Sequence, residues 1–200
     1  MKKLFPLLVL SIGAIALAGC GKKGSGNGGK KETPVEESEF AETAEKNLAK
    51  ENPYHTASMN AKHLQKQDNI IAYNLKGTAS YERQEGQWVA TEQDVDSQYM
   101  QISNPVSFIN FTMDMYATFV SKFRAMVGEF DKLNYTVDQT CKVVMEKSNF
   151  TYSSYNYKSI SVVIEWDSYG QILNYDEEDH IDYSGYDIAI TDQITYSYAE

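Results

Sequence analysis

The chain is poor in cysteine, in positive charge and in long apolar runs, and each scarcity closes off a class of protein. Its two cysteines, Cys20 and Cys141, cannot build a disulfide framework. Its 18 basic side chains stand against 28 acidic ones, for a net charge of −10. After Phe150 the one Lys or Arg is Lys158. A surface of this sign repels phosphate backbones, so nucleic acid is excluded as an expected partner. The one strongly apolar run, Leu4 to Leu17, is broken by Pro6, Ser11 and Gly13. It is shorter than the ~20 residues a membrane helix needs. Chemistry is scarce too. There is no G-x-S-x-G elbow, no P-loop and no dinucleotide fingerprint. The expectation is a non-enzymatic protein with no cofactor, no metal and no catalytic residues.

What is there begins with an address. Met1-Lys2-Lys3 is a basic start, Leu4 to Leu17 an apolar core, and Leu17-Ala18-Gly19-Cys20 follows. The three parts have the order of an export leader. The last four residues resemble the bacterial lipobox. That resemblance implies cleavage before Cys20 and a diacylglyceryl group on its sulfur. The expectation is a protein held by lipid on the extracytoplasmic face of a cell membrane, on a Gram-positive surface. Residues 1–19 would be the leader and 20–37 a lipidated cysteine with a flexible tether. Gly21 to Glu37 is rich in glycine and charge and has little to bury. Residues 38–200 would form a single domain, a size that can hold a core of its own.

Within that domain the hydrophobic period changes along the chain. Ser38 is placed to cap a first helix running to about Glu51, with Phe40, Ala44 and Leu48 on its apolar stripe. Asn52-Pro53 stops it. From Tyr54 to Ser103 apolar and polar residues alternate in three long stretches, the pattern of strands. Asn104-Pro105 then opens a row of Phe108, Phe111, Met115, Phe119, Phe123, Met126 and Phe130. Gaps of three and four predict one long apolar helix to about Lys132. Everything after Val137 reads as strands joined by short turns, an antiparallel meander. The expected class is α+β: a curved antiparallel sheet, or half-barrel, with an N-terminal helix and a long apolar central helix on its concave face.

This order of elements, with the lipobox, resembles the half-barrel lipoprotein-carrier fold. That is the family of the outer-membrane lipoprotein chaperone and the mycobacterial lipid-binding lipoproteins. The resemblance implies a lipid or other apolar ligand between sheet and helix. Phe108, Phe111, Met115, Phe119 and Phe123 are the candidate lining residues. A second reading is an envelope interaction protein with a packed core. Its candidate recognition surface is Tyr152, Tyr155 and Tyr157, among the 15 tyrosines of the chain. Oligomeric state is not legible.

Three further groups carry side chains capable of chemistry. Cys141 lies in a strand pattern and reads as a small buried apolar side chain. His55 and His63 share a strand face but stand too far apart to chelate. The run Asp176 to Asp182 carries carboxylates of a kind that Ca²⁺ takes, but lacks the glycine and spacing of a calcium loop. It reads as a solvated hairpin flank.

Overall fold

The computed structural model describes residues 33–96 and 105–200. Cys20 and the leader therefore lie outside the described residues, as does the end of the third expected strand. Among the described residues there are nine strands in one antiparallel sheet, ordered β1-β5-β6-β7-β8-β9-β2-β3-β4. The strands are β1 (Pro34–Val35), β2 (Thr56–Gln67), β3 (Ile70–Gln84), β4 (Gln87–Val95), β5 (Lys132–Val137), β6 (Cys141–Tyr152), β7 (Tyr155–Trp166), β8 (Ile172–Tyr183) and β9 (Tyr186–Ala199). Two 12-residue helices, α1 (Glu37–Leu48) and α2 (Tyr116–Val127), complete the fold.

The sheet follows from the alternation. β5 to β9 form a meander, and the last strand pairs back onto β2 along its whole length, from Thr56↔Ala199 to Gln67↔Ile188. On the inner face stand Val143 and Met145 of β6 and Ile160, Val162, Ile164 and Trp166 of β7. Ile188, Ile190, Ile194 and Tyr196 of β9 and Met59 of β2 join them. The hairpin tips take the backbone that their residues permit. Asp68-Asn69, Glu85-Gly86, Ser153-Ser154 and Ser184-Gly185 all have positive φ, as two-residue loops between twisted strands require.

The long central helix is not formed. Residues 105–107 turn, Phe108–Asn110 and Met113–Met115 are separate 3-10 turns, and only Tyr116–Val127 is α-helical. Tertiary contacts override the 3.6-residue period at the break. Thr112 is extended, with ψ 164°. The Met113 amide donates to the Gly170 carbonyl at 3.1 Å instead of to its own helix. The Asn110 amide group accepts from the Trp88 N–H at 3.1 Å and donates to the Trp88 carbonyl at 3.2 Å. It caps the open edge of β4 as a neighbouring strand would. The half-barrel layout, which needed that long helix, is thereby corrected to one large antiparallel sheet with two short helices.

Two smaller expectations also shift. Ser38 is not the cap of α1. Glu36 holds that position without a side-chain bond, and Ser38 lies inside the helix. β1, within the stretch read as tether, pairs Pro34 with Thr136 and Val35 with Tyr135. α1 packs through Phe40, whose ring lies 4.9 Å from Tyr116, 5.1 Å from Tyr135 and 6.3 Å from Trp166. No described helix is long and apolar enough to cross a membrane.

Candidate functional site

The residues expected to line an apolar cavity are packed against one another. Phe108, Phe111 and Phe123 are buried. Ring centroids step along the row at 5.0 Å from Phe108 to Phe111, 5.5 Å on to Phe119, 6.4 Å to Phe123 and 5.8 Å to Phe130. The row closes on the sheet at Tyr175, 4.2 Å from Phe108, and at Trp166, 5.8 Å from Phe111. Phe119 is partly buried, while Met115 is 44% exposed and stands outside the row. These contacts are those of a core: offset and edge-on pairs that add to the area they bury.

The candidate tyrosines lie on the inner side of the β6–β7 hairpin end. Tyr157 is buried and stacks on Phe150 at 4.6 Å, and Tyr155 packs on Tyr183 at 4.6 Å. Tyr152 is half-buried beside them. Tyr157 is thus a packing residue, and only Tyr152 and Tyr155 reach solvent. Cys141 is buried as expected. The Asn47 amide nitrogen lies 3.5 Å from its sulfur, and burial pushes the thiol up to about 11. Such a thiol is inert at neutral pH. His55 and His63 do not come together: His55 is exposed, and His63 turns inward.

Two arrangements that sequence reasoning missed are more distinctive, and they lie on opposite faces of the sheet. On the outer face, strands β2, β3 and β4 carry short polar side chains in register. Ser58 stands opposite Ser80 and Asn60 opposite Thr78. On the other side of β3, Ser80 faces Glu92 and Thr78 faces Asp94. A bulge on β4 places Thr91 as an extra residue whose hydroxyl donates to the Ser80 carbonyl at 3.2 Å. Bulges bend a strand and re-aim its side chains. Here small side chains in the middle and carboxylates at the rim leave an open polar hollow of about 430 Å³. Lys62 and Lys76 stand opposite each other one row further along the same pair of strands.

On the inner face, three carboxyl groups occupy positions where the pattern asks for apolar residues. Glu177 and Asp179 of β8 lie in register with buried Tyr175 and Ile181. Asp192 of β9 lies between buried Ile190 and Ile194, directly opposite Glu177. All three are 1% exposed or less. Asp192 accepts a contact from His63 of β2, with Nδ1 2.8 Å from Oδ1. Neither carboxyl oxygen of Glu177 or Asp179 has a hydrogen-bond partner. Burial, and then the neighbouring acids, raise the pKa of Glu177 and Asp179 well above the usual carboxylate range. The acidic run is therefore not the solvated flank expected. Asp176, Glu178, His180 and Asp182 face outward, and the two acids between them are inside. The missed signal was Asp192, which breaks the apolar series Ile188, Ile190, Ile194, Tyr196.

The described residues contain no group of three His, Cys, Asp or Glu side chains standing where they could hold a metal ion. No family model matches the chain, and no curated protein matches it. The fold and these two polar constellations are thus its defining features: a large antiparallel sheet with a packed aromatic core, a polar hollow outside and an acid cluster inside.

Proposed function

We propose that the chain is a lipid-anchored envelope protein of the extracytoplasmic face, held through Cys20, whose domain recognises a hydroxyl-rich glycan on the outer face of β2–β4. The hollow bounded by Ser58, Asn60, Thr78, Ser80, Glu92 and Asp94 carries this reading. Its lining offers hydroxyls and an amide that both donate and accept, and carboxylates that accept. A polyol presents the complementary set. The size suits a mono- or disaccharide unit by the usual range of ligand sites. The leader, ending in Leu17-Ala18-Gly19-Cys20, supports the location.

Binding of a lipid or other apolar ligand has less behind it, because Phe108, Phe111 and Phe123 are occupied by one another and by the sheet. No catalytic step belongs to this function. Saccharide fragments of the cell wall, titrated into the leaderless protein and followed by amide chemical shifts, test it. Shifts centred on Ser58, Thr78, Ser80 and Glu92, lost in Ser80→Trp, are the expected result. Shifts elsewhere, or none with any fragment, would remove the glycan reading. Shifts produced only by peptides would replace the ligand class and keep the surface.

A further inference from the structure

The inner-face acids do not take part in that recognition. Three carboxylates cannot all be ionised in a dry sheet interior. An isolated buried charge is so unfavourable that the group takes up a proton instead, unless an opposite charge compensates it. Compensation is the quantity to count. β2 supplies His63, which stands against Asp192, and Gln65, which is neutral. From β7 the facing groups are Ile160 and Val162, which pair with Asp179 and Glu177, and Tyr157 nearby. β9 presents Ile190 opposite Asp179, besides Asp192 itself. On β6, Lys147 pairs with Ile160 but is turned to Asp131, 3.0 Å away. Among the described residues facing them, one imidazole thus serves three acids, and it is engaged by one of them. A metal ion is not the natural compensator, since the side chains are not gathered into metal-holding geometry.

We infer that Glu177 and Asp179 bind protons in the folded protein and make the sheet interior a pH-sensitive switch, closed when they are neutral and loosened when they ionise. Their register fixes the coupling. Glu177 and Asp179 are two residues apart on one face, about 7 Å along the strand, and Asp192 lies about 5 Å across from Glu177. Ionising any one disfavours ionising the next. Each charge that does form must draw water into the packing between β7, β8, β9 and β2.

Burial raises these groups above their unfolded values. The stability linked to them is therefore full below the ordinary carboxylate range and is lost as pH rises through the raised values. Asp176, on the outer face, adds a smaller part of the same sign. Burial first pushes it to about 6, and nearby Glu165 adds to the rise against the hydrogen bond from Gln193.

Thermal unfolding of the leaderless protein from about pH 5 to about pH 9, with and without calcium, tests the inference against the double variant Glu177→Gln, Asp179→Asn. The expected result is a melting temperature that falls with rising pH in the natural protein. It falls much less in the variant, which melts higher at the alkaline end. The natural protein should also show the infrared carbonyl stretch of a protonated carboxyl near neutral pH, and this reading does not depend on the variant folding. A melting temperature that stays flat or rises with pH, with no such band, would overturn the switch. So would calcium restoring the alkaline melting temperature to its acid value, because a cation and not protons would then be the neutralising partner.

Discussion

At the scale of single residues, the structure turns on side chains that do something other than their type suggests. Asn110 belongs to a segment that reads as helix, yet its amide group closes two hydrogen bonds on the backbone of Trp88. Asn110→Ala leaves that edge N–H and carbonyl to solvent or to nothing. It should cost about 2 kcal/mol, since each net bond is worth about 1 kcal/mol and an orphaned group adds its own penalty. Chemical denaturation measures this directly. Cys141 is the opposite case, a residue behaving as its strand pattern implied. With its thiol pushed up to about 11 and buried beside Asn47, it should resist alkylation at pH 8 in the native state and react fully once unfolded. Mass spectrometry after a timed exposure to iodoacetamide distinguishes the two states. Rapid native labelling would mean that the site opens far more often than this packing allows.

At the scale of elements, the alternation was a reliable guide, while the 3.6-residue period held for α1 and for the Tyr116–Val127 part of the Phe row but not for the row as a whole. β2 to β4 and β6 to β9 fall where the alternation places strands, because the sheet buries one face and the pattern has to match it, while β5 occupies a stretch that the alternation had not claimed. The Phe row was equally regular, but regular spacing specifies only that its members can share a face. It does not say that the backbone between them is continuous helix. Thr112 in an extended conformation and the Met113–Gly170 bond break the helix while leaving the rings in contact. Both features depend on the β7–β8 turn, some 60 residues on in the chain, and no local window reveals them. That turn is itself tightly built. Asp167 accepts from the amides of Tyr169 and Gln171 at 2.8 and 2.9 Å, and Gly170 adopts φ +72°. A Cβ on Gly170 would stand 2.8 Å from Leu48 Cδ2 of α1. Gly170→Ala therefore combines left-handed strain of about 1 kcal/mol with a forced shift of the Leu48 side chain on α1. It should lower the melting temperature by several degrees. An unchanged melting temperature would mean that α1 is not held against this turn.

At the scale of the whole molecule, the packed aromatic row stands on one side of the sheet and the polar hollow on the other. Part of this was legible in outline: long strands in a meander, a first helix over Phe40 and Ala44, and acidic charge. The hollow was not, because register across three strands and one bulge creates it, and strand pairing is unreadable from spacing alone. The buried acids were half legible. Asp192 interrupts an apolar series, and Glu177 and Asp179 share the inward parity of Tyr175 and Ile181. A run of acids is ordinarily solvated, and that habit of composition hid the parity.

Native mass spectrometry separates recognition at the outer hollow from binding in the aromatic core. The protein from Lys22 onward would be purified without detergent, then offered cell-wall saccharide fragments and, separately, membrane lipid extract. A bare mass on purification, a saccharide adduct that Ser80→Trp abolishes, and no lipid adduct are the results predicted. A co-purifying lipid that disappears when Phe111 and Phe119 are made polar would contradict glycan recognition and return the Phe row to the role of a ligand site.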